Sequence, residues 1–234
     1  ENLLDMKKLL VSDYDQTFYI NDEDIEKNKI CDDVVLVGAT KTRSIIEIEE
    51  AVEAGLKVAG ENRVQELIGK YKPIDGLSWH FIGALQTNKV KYIVDKVDLI
   101  HSVDRIELAQ EINRRCAKIN KVMPILIEVN VGGEENKSGI NPEELFVFVE
   151  NIRNLPNIKI CGLMTVMPKY AEEDLYKRMY ALYVRLKEIY PSLPVKWLSM
   201  GMSGDYKIAL KNGANMIRLG TALFGERVYP AKEV

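Results

Sequence analysis

The chain has few histidines and cysteines and no excess of positive charge, and each of these features excludes a class of function. The chain has two histidines in 234 residues, His80 and His101, and neither has a His, Cys or Asp partner at ligand spacing, so we expect no metal site. The formal net charge of -3 predicts no nucleic-acid-binding surface. The three cysteines are far apart, odd in number and without a CxxC motif, which favours free thiols in a reducing cytoplasm: Cys31, Cys116 and Cys161.

Long apolar runs are also missing. The longest runs have the length of a strand, so we expect no membrane span and no membrane partner. The sequence opens on Glu1 and Asn2 without a basic segment followed by a long apolar one, so we expect no signal peptide. Together with the cysteine usage, these absences predict a cytoplasmic protein.

Short apolar runs alternate with amphipathic stretches from residue 34 onward. Eight strands that alternate with helices are typical of a (β/α)8 barrel of the TIM type. An open doubly wound sheet is the alternative, but it rarely needs eight strands. We therefore predict one barrel domain over residues 34–234, preceded by an atypical segment over residues 1–33. The predicted strands cover residues 34–40, 57–61, 79–85, 97–103, 124–131, 158–166, 195–202 and 216–224.

Glycine, proline and capping side chains predict the ends of several helices. Gly55 is the expected C-cap of the first helix, and Asp104 is the expected N-cap of a helix over residues 105–119. A third helix opens at Asn141, with Pro142 at its first position. The longest helix covers residues 171–190 and stops at Pro191.

Lys41 comes just after the first predicted strand. A lysine at this place would point its amine into the mouth of the barrel, where burial disfavours the ammonium form and frees a nucleophilic amine. The alternative is a lysine that extends its charged end to the solvent.

The last two predicted strands end in glycine and hydroxyl residues. In the last strand, Gly220 and Thr221 come after the apolar residues Met216, Ile217 and Leu219, and the strand before it runs into a small, hydroxyl-rich turn that ends near Asp205. Backbone amides and a hydroxyl at a strand-to-helix turn can bind phosphate. TIM-barrel enzymes often place a phosphate site after strands seven and eight, so we predict one here.

These residues lie in a set of short motifs that resembles the pyridoxal phosphate homeostasis proteins, the YggS/PROSC family, which are relatives of the barrel domain of alanine racemase. The set is specific, although each motif alone is weak. The motifs are ATKT at 39–42, GENRVQE at 60–66, WHFIGALQTNK at 79–89, KSG at 137–139, GLMT at 162–165, LSMGMS at 198–203 and RLGTALFG at 218–225.

The resemblance implies a site for pyridoxal 5'-phosphate (PLP). Lys41 would hold the aldehyde of PLP as a Schiff base, and Asn62 would lie beside the ring. Arg218 would face the pyridine nitrogen and, because an arginine stays protonated, would leave that nitrogen unprotonated. The residues implied around the phosphate are Ser199, Gly220 and Thr221, with Met200, Gly201 and Ser203 nearby.

Purely structural roles stay open for some of these residues. Arg218 could pair with a carboxylate inside the barrel, and Asn62 could cap the helix near Arg63. His80 has apolar sequence neighbours, which favours a packed strand histidine over a catalyst.

The resemblance implies a non-catalytic protein that stores, protects or delivers PLP, with PLP-dependent apoenzymes or PLP-synthesising enzymes as partners. Racemases of the related fold use a tyrosine base from a second domain, and residues 225–234 are too few for such a domain, so we expect a monomer. An amino-acid racemase of weak activity is the alternative.

The segment over residues 13–17 reads DYDQT and resembles the opening of a haloacid dehalogenase-type phosphatase. Such enzymes need further motifs on successive strands of an open sheet, and the chain instead continues directly into the barrel pattern. A phosphatase is therefore a remote alternative, and an acidic turn or a fusion remnant is the simpler interpretation.

Overall fold

The computed structural model describes residues 34–225, in which eight parallel strands close into a barrel. Each strand pairs with the next along the chain, and the last pairs with the first, so that Val37 lies opposite both Val58 and Arg218. The predicted (β/α)8 barrel is confirmed. The strands are β1 (Val35–Ala39), β2 (Val58–Glu61), β3 (Ser78–Phe81), β4 (Leu99–Val103), β5 (Met123–Glu128), β6 (Ile158–Met164), β7 (Trp197–Ser199) and β8 (Met216–Leu219).

Helices connect the strands around the outside of the barrel. The first begins with a capping box, in which the Ser44 hydroxyl accepts the Glu47 N–H and the Glu47 carboxylate accepts the Ser44 N–H. The helices are α1 (Ile45–Glu53), α2 (Val64–Lys70), α3 (Ile106–Ala117), α4 (Leu145–Ile152), α5 (Glu173–Ile189), α6 (Tyr206–Lys211) and α7 (Thr221–Phe224), with 3-10 turns at Thr87–Tyr92 and Pro142–Glu144.

Two of the predicted helix caps are confirmed and one is wrong. Gly55 follows α1 with a φ of 111°, a conformation that glycine tolerates best, and the Asn141 side chain accepts the Glu143 N–H. Asp104 does not cap α3, because that helix begins at Ile106 with Arg105 at its N-cap, one residue later than predicted. The Asp104 carboxylate instead binds the Arg105 guanidinium at 2.7 Å.

All eight strands occupy the predicted places, but several end earlier than predicted. β8 ends at Leu219 and not at residue 224. The amides of Gly220 and Ala222 donate to the Ser203 hydroxyl rather than to a neighbouring strand, and α7 begins at once. The glycine and hydroxyl residues therefore form the loops at the barrel mouth.

Side chains alternate between the two faces of each strand and build two cores. The outer core lies between the strands and the helices and contains large buried residues such as Phe81, Ile100 and Tyr176. The inner core fills the barrel with Val37, Val58, Ile82, Leu99, Leu126, Met164 and Met216. Polar side chains follow this apolar layer toward the carboxyl ends of the strands, so the mouth of the barrel is the place for chemistry.

The predictions for the DYDQT motif and for Cys31 lie outside the described residues. Within residues 34–225, Cys116 and Cys161 are free thiols. None of the helices described there combines the length and apolar character that a membrane span requires.

Candidate cofactor site

The carboxyl ends of β7, β8, β1 and β2 are consecutive around the barrel and carry all of the predicted site residues. Lys41 comes two residues after β1, and Gly220 directly follows β8. A Cβ built on Gly220 would lie 3.6 Å from the Cβ of Ala39, the last residue of β1. The loop with the predicted amine and the loop of the predicted phosphate site are therefore adjacent.

Side chains alternate between the two faces of each strand, so two of the predicted site residues, Ser199 and Arg218, face the barrel interior and Met200 does not. Ser199 and Arg218 lie two residues beyond Trp197 and Met216, which line the inner core. Met200 instead packs in the outer core, and its N–H donates to the Met216 carbonyl at 3.1 Å. Met200 could therefore contact a ligand only through its carbonyl oxygen.

Arg218 is 3% exposed, and its guanidinium is held inside the barrel. Its Nη1 donates to Ser199 Oγ at 2.6 Å, and its Nη2 donates to the Thr165 carbonyl at 2.7 Å. Within residues 34–225 no carboxylate lies at ion-pair distance from Arg218, so the alternative in which Arg218 pairs with a carboxylate inside the barrel is not seen there. Burial lowers the pKa of Arg218 to about 10, and the group still carries its charge at neutral pH.

A chain of buried hydrogen bonds continues from Arg218 into the barrel. Ser199 Oγ lies 3.2 Å from His101 Nδ1, and His101 Nε2 lies 3.0 Å from His80 Nδ1. Burial lowers the pKa of His80 to about 4 and that of His101 well below its usual range. Both rings are therefore neutral at pH 7.

A neutral imidazole has one donor and one acceptor nitrogen. His101 therefore donates through one ring nitrogen and accepts through the other, so its bonds to Ser199 and to His80 run in the same direction along the chain. The prediction that His80 is a packed strand residue is confirmed by its 6% exposure. Its pairing with His101 was missed, because residues 21 positions apart show no shared motif.

The predicted phosphate site contains two backbone donors that point at one oxygen. The N–H groups of Gly220 and Ala222 donate to Ser203 Oγ at 3.3 Å and 3.2 Å. Thr221, between them, exposes its side chain. Neighbouring backbone amides that converge on one oxygen are an arrangement that can also hold a phosphate oxygen. Ser203 is thus the hydroxyl at this place, and the phosphate role of Ser199 stays a prediction.

The loop that carries Ser203 is fixed by one carboxylate. Asp205 accepts the Met202 N–H at 2.7 Å and the Tyr176 hydroxyl at 2.8 Å. Gly201, at the start of this loop, has a φ of 98° and accepts the Arg218 N–H through its carbonyl at 3.0 Å. These bonds join the loop after β7 to both β8 and α5.

Lys41 is half-buried, and its amine makes no hydrogen bond or ion pair within residues 34–225. An amine without a partner is free to bind a ligand, so the role of Lys41 stays a prediction that the contacts support. Asn62 is also half-buried, and it does not cap α2, which begins after Arg63. Gly83 lets the chain pass close to it, since a Cβ there would lie 2.3 Å from the Asn62 carbonyl oxygen.

One buried carboxyl at the mouth was missed. Glu128 is 6% exposed and lies two residues beyond Leu126 of the inner core. Burial and the neighbouring Asp104 raise its pKa to about 7, and the charge of Arg218 opposes this shift. The alternation along β5 was the signal that would have placed it inside the barrel.

The donors at the mouth suit an anionic ligand with a carbonyl group better than a metal ion. They comprise two amides, a hydroxyl, a guanidinium and the Lys41 amine, which has no partner among the described residues. Among the residues that the structure describes, no group of three or more His, Cys, Asp or Glu side chains is placed to hold a metal.

Comparison with known proteins confirms the resemblance seen in the sequence. A family model described as "Alanine racemase, N-terminal domain" matches residues 34–228. A pyridoxal phosphate homeostasis protein of Aquifex aeolicus is 50% identical over 202 residues, which cover 83% of this chain and 87% of that protein. The protein of the same name in Escherichia coli is 34% identical over a match that covers 86% of this chain and 89% of the E. coli protein.

Solved structures agree with these relatives. PipY of Synechococcus elongatus, solved with PLP bound, has a TM-score of 0.75 and 30% identity, with coverage of 87% of this chain and 98% of PipY. Alanine racemase of Clostridium difficile has a TM-score of 0.70 at 17% identity and covers 91% of this chain and 57% of the racemase. This second likeness shows the fold alone.

Proposed function

We propose that this chain, which belongs to the alanine racemase N-terminal domain family, binds PLP at the barrel mouth and carries it without catalysing a reaction on it. The observation that carries the proposal is that the loop with Lys41, whose amine has no partner within residues 34–225, follows a strand end adjacent to Gly220, whose amide converges with that of Ala222 on one oxygen. PipY, a relative at 30% identity, was solved with PLP bound, which supports the same ligand here.

Each end of the ligand has a matching group. The amides of Gly220 and Ala222, with Thr221, would bind the phosphate, and Lys41 would bond to the aldehyde carbon, whose oxygen leaves as water. Arg218 would face the ring nitrogen. When bound, PLP supplies an aldehyde and a ring that can accept electrons.

Arg218 is the reason to expect a carrier. Its guanidinium keeps its charge at neutral pH and only donates hydrogen bonds, so it favours an unprotonated ring nitrogen and weakens the ring as an electron acceptor. Racemisation also needs proton-transfer groups on both faces of the substrate carbon, and Lys41 serves one face. We further propose that the protein acts as a monomer in PLP homeostasis and exchanges PLP with PLP-dependent apoenzymes or PLP-synthesising enzymes.

Borohydride reduction followed by peptide mapping tests the proposal. We expect PLP to be fixed to Lys41, and Lys41→Ala to lose the covalent product while keeping non-covalent PLP. Lys72→Ala is the matched control, because Lys72 is exposed and pairs with Glu49. Modification of another lysine, or none, contradicts the proposal. Turnover of an L-amino acid to its enantiomer by wild type, lost in Lys41→Ala, would show an enzyme instead of a carrier.

A further inference from the structure

The loop that carries Lys41 is held by a second lysine at the end of α2. Lys70 Nζ donates to the Thr40 carbonyl at 2.9 Å and to the Arg43 carbonyl at 3.0 Å. One carbonyl lies directly before Lys41 and the other lies two residues after it. A single ammonium group therefore ties together both sides of the loop.

A buried carboxylate completes the coordination of this ammonium. Glu61 is 0% exposed, and its Oε1 lies 2.8 Å from Lys70 Nζ and accepts the Thr40 hydroxyl. Burial raises the pKa of Glu61, and its bonds to Lys70 and Thr40 oppose the shift. Its Oε2 is buried without a hydrogen-bond partner among the described residues. Among the described residues, Lys70 is the one cation that forms an ion pair with Glu61.

The loop also contains a backbone conformation that needs support. Thr42 has a φ of 65°, which is uncommon for a residue other than glycine, and its N–H donates to Glu66 Oε2 at 2.9 Å. Such conformations persist when the surroundings fix them from several sides. Here Lys70 binds the carbonyls on both sides of this residue, and Glu66 binds its amide.

All three N–H groups of the Lys70 ammonium have an acceptor. The carbonyls of Thr40 and Arg43 and the carboxylate of Glu61 match them in number, and Glu66 Oε2 lies further away at 3.7 Å. The side chain of Lys70 is 11% exposed. Lys41 differs from Lys70, because its amine has no partner within residues 34–225.

We propose that Lys70 is a positioning residue, whose ammonium holds the Thr40–Arg43 loop in the conformation that presents the Lys41 amine to the barrel mouth. The proposal rests on the proposed function, in which Lys41 bonds to PLP. It concerns the formation of that bond and not the binding of the phosphate, because Lys70 touches neither Gly220 nor Ala222.

The test compares Lys70→Met with Lys72→Met, since Lys72 lies two residues away and contacts Glu49 instead of the loop. The rate of covalent bond formation is followed by absorbance after mixing with PLP. Affinity for pyridoxamine 5'-phosphate, which has no aldehyde, reports the rest of the site. We expect Lys70→Met to slow bond formation by about tenfold or more, with pyridoxamine 5'-phosphate affinity unchanged and Lys72→Met like wild type.

Removal of Lys70 leaves Glu61 buried and unpaired, so a second variant separates positioning from stability. The double variant Lys70→Met with Glu61→Gln removes the orphan charge. We expect it to recover melting temperature but not the rate of bond formation. A wild-type rate in either variant overturns the inference, as does a loss of pyridoxamine 5'-phosphate affinity that matches the loss of rate.

Hydrogen exchange of the Thr42 amide distinguishes failure of the inference from failure of the proposed function. We expect faster exchange in Lys70→Met and unchanged exchange in Lys72→Met. If reduction traps no PLP on Lys41 in the wild-type protein, the proposed function is wrong. Unchanged exchange of this amide in Lys70→Met would overturn the role of Lys70 whether or not PLP is trapped.

Discussion

Two fully buried serines of the barrel are expected to respond in opposite ways to the same substitution. Ser199 is 0% exposed and accepts a 2.6 Å hydrogen bond from the charged Arg218. Ser199→Ala would remove that acceptor and the partner of His101 Nδ1. A lost bond to a buried charged group costs about 3 kcal/mol, because the guanidinium stays desolvated without its acceptor.

Ser102 is the matched control. It is 1% exposed, and its hydroxyl has no hydrogen-bond partner among the described residues. An unpartnered buried hydroxyl loses its water on folding and gains no bond in return, so Ser102→Ala is expected to leave stability unchanged or to raise it by about 1 kcal/mol. Both substitutions remove the same single oxygen atom from a buried strand residue.

Thermal unfolding at pH 7 measures the difference. At about 3 °C per kcal/mol for a domain of this size, Ser199→Ala should lower the melting temperature by about 9 °C, and Ser102→Ala should leave it constant or raise it slightly. Urea unfolding gives the corresponding free energies. Equal losses in both variants would refute the hydrogen-bond chain as the cause, because loss of packing alone would affect the two sites alike.

Other substitutions test other parts of the barrel. Glu128 has a folded pKa of about 7 against an ordinary value of 4.5, so the folded state holds the extra proton between these values and wild-type stability falls as the pH rises through them. The free energy of unfolding of Glu128→Gln, measured with urea, should therefore match that of wild type at about pH 4.5 and exceed it by up to about 3 kcal/mol above pH 7. A difference that stays constant with pH contradicts this. Gly162→Ala places a Cβ 1.8 Å from the Trp197 carbonyl oxygen and should prevent stable folding. In Gly69→Ala the new Cβ meets nothing within 4 Å, so this substitution should stabilise α2 by about 0.8 kcal/mol. Thermal melts followed by circular dichroism measure both effects. Tyr176→Phe frees one oxygen of the carboxylate that fixes the loop after β7, and we expect weaker phosphate binding by calorimetry with covalent trapping retained.

Periodicity was sufficient to predict the barrel, and it placed the candidate site residues at the carboxyl ends of the strands. Apolar runs of strand length, separated by amphipathic stretches, have few solutions other than eight parallel strands closed on themselves. Glycine and hydroxyl residues after the last two strands indicated where the backbone would expose amides, and Gly220 does so. Both features depend on local sequence, which is why they could be read without coordinates.

Contacts between residues far apart in the chain could not be predicted from the sequence. Lys70 is an ordinary basic residue at the end of a helix, and no local pattern indicates that its ammonium turns toward the Lys41 loop. The pairing of His80 with His101 depends on the register between two strands, which sequence patterns do not fix. The predicted cap Asp104 was wrong because α3 begins one residue later, with Arg105 at its N-cap.

The hydroxyl of Ser203 already occupies the proposed phosphate site. Since its oxygen already satisfies the amides of Gly220 and Ala222, an incoming anion has to exchange with it rather than fill an open position. A small, weakly bound ion such as chloride gains little from that exchange. A phosphate ester brings several oxygens and more charge, and can also engage Thr221, so the serine acts as a built-in competitor that weak anions do not displace.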